Sequence, residues 1–311
     1  MSGPAPLPQG FEVGNWTDAE GRTGCTAVLA PPATRGGIDV RGGGPATRET
    51  EAIGANAGTA EVTGVVLAGG SAHGLAAADG AVRWLEQHGR GYVTPGGLVP
   101  IVPAAAIYDL AEGNAGARPD ADSGYAACEN ARAGVPDRGR VGAGCGAAVG
   151  KVLGRERGVA AGVGYAAGAT GGGVTLAVLA VVNAFGDVLA EDGSVLAGPR
   201  GDDGRTLSTA ELVVAMEAPP DWTKLADPNT TLVCVMTDGV LDKPACSRVA
   251  RMASAGVARA VDPVFSDVDG DVVFCLASGQ GEPDRFATIA AGTLAATLTA
   301  MAIRDAVRQA A

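Results

Sequence analysis

The chain is poor in the residues on which many hydrolases and binding proteins depend. Its 311 residues hold only two histidines, and aromatics make up 4%. A serine triad needs an imidazole between its hydroxyl and its acid, so so few histidines leave little room for one. Lys and Arg total 23 against 34 Asp and Glu, a net charge of −11 with no basic cluster. That balance argues against nucleic acid and anionic membranes as partners. The six cysteines (Cys25, Cys128, Cys145, Cys234, Cys246, Cys275) contain no C-x-x-C pair. Neither a zinc site nor a disulfide framework is expected from them, and buried free thiols in a reducing cytoplasm fit the scatter. The opening "MSGPAPLPQG" lacks the basic and apolar regions of a secretory signal. The uncharged run "FATIAAGTLAATLTAMAI" (286–303) is rich in Ala and Thr rather than Leu, and reads as a buried core helix instead of a membrane span.

What is abundant points to a packed enzyme-sized domain. Hydrophobic residues make up 47%, enough for a sizeable core, and the 49 glycines suggest tight turns and close backbone packing. Residues 1–22 read as a Pro/Gly-rich lead and 34–50 as a Gly/Arg-rich loop. Strands are expected at 23–30, 61–69, 174–186, 231–237 and 271–279, with a hairpin over "GDVLAEDGSVLAG". Helices are expected from Ser71 to Gly89, over 122–132, in "STAELVVAMEAPP", over 243–260, and in the Ala-rich C-terminal segment. Residues 219–228 form the most linker-like break. Strands interleave with helices and are apolar on both faces, a pattern of sheets covered by helices in a layered α/β or α+β domain.

Several motifs offer chemistry and most have a simpler reading. His88 precedes Gly89 at a helix C-terminus, where a cation suits the dipole. "GGSAHG" nearly matches a nucleophile elbow, but its second glycine arrives one residue late, so Ser71–His73 is a weak pair and a helix-capping turn explains it. "GAGCGAAVGK" (142–151) lacks the Ser/Thr after Lys151 that a phosphate loop needs, and no apolar strand precedes it as a dinucleotide fingerprint requires. Lys151 is left as an isolated cation after a glycine-rich stretch. In "SDVDGDVVF", Asp269 and Asp271 lie two apart leading into a strand, either as an Asp-Gly turn or as a carboxylate pair orienting a nucleophile or an ammonium group. In "DPNTTLVCVMTDG" (227–239), Asn229-Thr230 reads as an exposed, polar strand entry. Its alternative is chemical: a threonine that becomes an N-terminus carries its own base, an α-amine of pKa about 7.7–8.0.

Taken together, "RGGGPATRET", "LAGGSAHGLAAADGAVRWLE", "VPIVPAAAIYDL", "VGAGCGAAVGK", "LAVVNAFGDV", "NTTLVCVMTDG" and "DPVFSDVDGDVVF" resemble, in order and spacing, the self-processing L-aminopeptidase/D-esterase family, which includes β-peptidyl aminopeptidases and nylon-oligomer hydrolases. The resemblance covers about residues 22–305. It implies an α+β fold, an αββα sandwich of N-terminal-nucleophile-hydrolase type, in a single hydrolase domain over 1–311. It further implies self-cleavage between Asn229 and Thr230 into an α subunit (1–229) and a β subunit (230–311), with Thr230 as nucleophile. The family's lysine falls on Lys151, its asparagine on Asn183, its acidic pair on Asp269 and Asp271, and its tyrosine on Tyr108, the last a candidate oxyanion donor beside Asn183. Phe265 and His73 depart from the pattern, where members often carry a histidine and an aromatic residue respectively. No cofactor or metal is implied. The implied partners are a small amide or peptide substrate, the chain's own fragments, and further αβ units up to a tetramer. Alternatives within and beyond this class are an endo-amidase on oligomeric amides, an acyltransferase of ornithine acetyltransferase type, and an uncleaved small-molecule-binding relative.

Overall fold

The computed structural model describes residues 4–59, 61–218 and 229–311. Ten strands form two five-stranded sheets: β1 (Glu12–Asp18), β2 (Thr23–Leu29), β3 (Arg35–Val40), β4 (Ala46–Arg48), β5 (Gly64–Ala68), β6 (Ala104–Ala106), β7 (Val163–Ala169), β8 (Thr175–Asn183), β9 (Thr230–Thr237) and β10 (Val272–Ala277). The first sheet has the order β1-β2-β5-β6-β4, and the second β7-β8-β9-β10-β3. Both are mixed, with parallel pairs only between β5 and β6 and between β9 and β10.

Side-chain alternation along the strands sets the layering. In the first sheet Cys25, Ala27, Leu29, Val66 and Ala68 point one way, into a cluster with Ala77, Ala81 and Leu85 of α1 (Ala77–Gln87) and Ala127 of α2 (Ala121–Glu129). Their neighbours Val28, Val65 and Leu67 point the other way and join the core of the second sheet. That sheet is covered on its far side by α4 (Lys243–Ala258) and α5 (Arg285–Ala310), with α3 (Thr209–Ala215) lying outside the sandwich proper. The result is four layers, α1/α2, sheet, sheet and α4/α5, the αββα sandwich expected from the resemblance. Strand β8 is buried from Leu176 to Asn183 because both of its faces are covered. Helix α5 is long and apolar enough to cross a membrane. It instead lays Ala291, Ala295, Leu298, Ala302 and Ala306, spaced by three or four, against the sheet and α4. Its start is capped by Asp284, whose carboxylate accepts from the N–H groups of Phe286 and Ala287.

Three expectations are corrected. The lead segment contains β1, the 34–50 loop contains β3 and β4, and β7 was not anticipated. The physical reason is shared by β3 and β7: their glycines serve close helix contact rather than turns. A Cβ on Gly37 would lie 2.2 Å from Ser247 N in α4, and one on Gly164 would lie 1.9 Å from Ala302 O in α5. The linker-like break at 219–228 lies outside the described residues. The helix in "STAELVVAMEAPP" ends at Ala215, ahead of the prolines.

Candidate active site

The register of the second sheet assembles the site. Asn183, the last residue of β8, is paired directly with Thr230, the first of β9. Opposed residues of antiparallel strands project from the same face, so their side chains are neighbours. Both are buried, and so are Asn229, Lys151, Asp269 and Asp271. The exposed strand entry expected at Thr230 is therefore corrected: it is 3% exposed, enclosed between the sheet and the turn that leads into β10.

Asn183 is the hub. Its Oδ1 accepts from Lys151 Nζ at 2.9 Å and from Ala148 N at 3.1 Å, and its main-chain carbonyl accepts from Lys151 Nζ at 3.1 Å. Its Nδ2 donates to the carbonyl of Tyr108 at 3.0 Å, so Tyr108 meets this cluster through its main chain. The glycine-rich stretch before Lys151 is no phosphate cradle. Gly150 takes a positive φ of 66° to turn the chain, and Lys151 points back onto the end of β8.

The turn 266–271 closes the other side. Asn229 N donates to Val268 O at 2.9 Å, and Gly270 N donates to Asn229 O at 2.6 Å, clamping the residue before Thr230 in a parallel bridge. Thr230 Oγ1 donates to the same Asn229 carbonyl oxygen. Asp271 accepts from Thr231 N at 2.5 Å and from Phe265 N at 3.3 Å. Asp269 accepts from Phe185 N at 3.2 Å and from Ser266 N at 3.2 Å, and its Oδ2 takes the Ser266 hydroxyl at 2.5 Å. The "RGGGP" loop wraps this turn from outside through Gly43 N to Ser266 O and Gly44 N to Asp269 O. Ser266, Gly270 and the 42–44 loop lie within the blocks that carry the resemblance, but the sequence assigned them no role in the site. Only the glycine run ahead of a short strand marked them, and nothing local says which turn such a run will hold.

Burial, and then the neighbouring Asp269 carboxylate, raise the Asp271 carboxyl from 3.8 to about 7. Folded Asp271 thus holds its proton more tightly than the unfolded chain does. The stability this contributes is complete below about pH 4 and is lost as pH rises through about 7. Asp187, which accepts from Thr209 N at the start of α3 and is raised by burial to about 6, acts with the same sign. The urea midpoint of the uncut chain should therefore fall from about pH 5 to about pH 8, and fall less in Asp271→Asn. A midpoint that rises across that range would contradict the assignment.

Beside the cluster lies a cavity of about 500 Å³, within the usual size of a small-molecule pocket. Val152, Phe185, Met216 and Val268 give it apolar walls, with Ser266 and Asp267 at its polar side. Val152 follows Lys151 and Phe185 carries the N–H on Asp269, so the cavity shares its wall with the buried polar cluster. The other early candidates stand apart. His88 stacks on Trp84 at 3.8 Å and meets its carbonyl through Nδ1. Ser71 lies in the turn opening α1, with its N–H on Ile107 O.

Two sheets packed face to face between helix layers, with strand β9 opening on a buried polar cluster, give an αββα sandwich whose candidate active site lies at the end of its second sheet. The chain belongs to peptidase family S58, whose model matches residues 9–311. An uncharacterized aminopeptidase of Mycobacterium leprae is 41% identical over 273 residues, 83% of this chain and 72% of the relative. A 6-aminohexanoate-oligomer endohydrolase of Kocuria sp. is 28% identical over 275 residues, 87% of this chain and 74% of that protein. Among solved structures, a Burkholderia sp. β-aminopeptidase superposes with a TM-score of 0.71 at 21% identity, covering 98% of this chain and 88% of its own. The L-aminopeptidase D-Ala-esterase/amidase of Ochrobactrum anthropi, described as a variant of the Ntn hydrolase fold, gives 0.68 at 20% identity, over 96% and 84%.

Proposed function

We propose that the chain cuts itself between Asn229 and Thr230 and then acts, through the new N-terminal Thr230, as an aminopeptidase or amidase on small peptides and amino-acid amides. The observation that carries this reading is the Thr230 hydroxyl seated on the carbonyl oxygen of the residue before it, in a buried site built by Asn183, Lys151 and the acidic turn. Once freed, the Thr230 amine sits beside its own Oγ1 and serves as the base that a threonine hydroxyl lacks. Attack on an amide carbonyl forms an acyl-enzyme on Oγ1, and water completes hydrolysis. Lys151 biases the amine toward its neutral form by its positive field. Asn183 Nδ2 supplies an oxyanion donor once it leaves the Tyr108 carbonyl.

The two fragments would stay together, because β9 and β10 of the smaller are hydrogen-bonded between β8 and β3 of the larger. The six free, buried cysteines fit a reducing cytoplasm.

A denaturing gel with N-terminal sequencing of the smaller fragment tests the cut. The expected fragment begins Thr-Thr-Leu-Val, and a chain that stays whole on long incubation refutes the proposal. An endo-acting reading draws on the oligomer hydrolases among the relatives and on the apolar cavity. Paired substrates with free and acetylated N-termini separate the two: an aminopeptidase loses the blocked one, and an endo-amidase keeps it.

A further inference from the structure

The scissile carbonyl proposed above is held from two sides before any cut is made. Its oxygen accepts from Thr230 Oγ1 and, at 2.6 Å, from the backbone N–H of Gly270. Asn229 is 2% exposed, so no water competes freely for that oxygen. The space beside Gly270 Cα is closed by the nucleophile and the clamping loop. A Cβ built there would lie 2.8 Å from Thr230 Oγ1, 2.8 Å from Gly44 O and 3.1 Å from Pro45 Cα. Two of these three are backbone atoms of the loop that clamps the turn, so a side chain here cannot be absorbed by a rotamer change. The position admits hydrogen and nothing larger without moving the donor.

Resting on the self-cleavage reading, we propose that Gly270 is a catalytic residue of that step, its N–H stabilising the oxyanion that forms on Asn229. As Thr230 Oγ1 adds to the Asn229 carbon, the π electrons move to the carbonyl oxygen facing Gly270 N–H. Collapse breaks the carbon–nitrogen bond, and the proton lost by Oγ1 ends on the Thr230 nitrogen, giving an ester and a free amine. Water then cleaves the ester, adding hydroxide to the Asn229 carbon and returning a proton to Oγ1. A neutral N–H···O=C bond becomes charge-assisted as the oxygen gains charge, so the donor favours the transition state over the intact chain.

The test uses pulse-labelled full-length chain made in a cell-free system, wild type beside Gly270→Ala, with conversion followed with and without hydroxylamine. Hydroxylamine cleaves the ester but does not help to form it. Gly270→Ala is expected to convert on the order of 10²–10³ more slowly in both conditions, the usual loss for one oxyanion donor. Conversion at the wild-type rate, or full restoration by hydroxylamine, overturns the proposal while leaving self-cleavage standing. A wild-type chain that never cuts takes both down. Should Gly270→Ala not fold, amide exchange of the uncut Thr230→Ala chain decides. A slowly exchanging Gly270 N–H supports the assignment, and one exchanging like an exposed loop amide overturns it.

Discussion

Thr230→Ala should yield a folded chain of 311 residues that stays whole and hydrolyses amides more slowly by a factor on the order of 10⁴–10⁶, the loss expected if Thr230 is the proposed nucleophile. The substitution removes Oγ1 and one methyl from a residue that is 3% exposed. It also deletes one hydrogen bond to Asn229 O, which keeps its bond from Gly270 N–H. The combined stability cost is about 1–3 kcal/mol, well inside the reserve of a typical domain. Strand β9 keeps its ladder to β8 and β10, since that ladder is made by main-chain groups. Circular dichroism and a melting curve should thus show a native chain, and the gel a single band. Thr230→Ser restores a hydroxyl at the same point and should recover both the cut and the hydrolysis. An alanine variant that cuts or hydrolyses at the wild-type rate would move the nucleophile elsewhere, and Ser71 would be the first residue to test.

The layers of this fold were more legible in the sequence than its pairings. Strands such as "VTLAVLAVVN" announce themselves by unbroken apolar character, and α4 and α5 by their length and spacing. Strands "RGGIDV" and "VGYAAGA" did not, because their glycines are chosen for helices that pack on them from distant parts of the chain. The site shows the same division. Thr230, Lys151, Asn183 and the two aspartates were named from motifs spread over more than a hundred residues, and the resemblance carried that grouping. That Asn183 and Thr230 face each other is a fact of register, which depends on long-range pairing and on which face is buried. No local pattern holds it. Gly270 was hidden for a different reason: it acts through its backbone and through the absence of a side chain.

Lys151→Met should lower kcat by a factor on the order of 10²–10³ and move the acid limb of the kcat/KM profile to higher pH by about one unit. The side chain is buried at 4% exposure, and methionine matches its length and fills its channel, so packing survives. What goes is a positive charge whose Nζ lies 2.9 Å from Asn183 Oδ1, one residue pair away from Thr230 across the β8–β9 ladder. Near that charge the Thr230 amine is easier to deprotonate, and a neutral amine is the base the mechanism needs. Without the charge the amine holds its proton more firmly, and a smaller fraction is active at neutral pH. Loss of Nζ also frees the Asn183 carboxamide from one of its anchors, loosening an Nδ2 now held on the Tyr108 carbonyl. A merely structural lysine would behave otherwise: its loss would lower the denaturation midpoint and leave the pH profile of the surviving activity in place. Because self-cleavage should slow as well, the measurement is made on enzyme assembled from co-expressed chains 1–229 and 230–311, so that maturation and turnover are read separately. Lys151→Arg keeps the charge but places it on a broader, planar head, and should hold the pH limb near the wild-type position even as kcat falls. If Met and Arg shift the limb equally, the field of Lys151 does not set the basicity of Thr230.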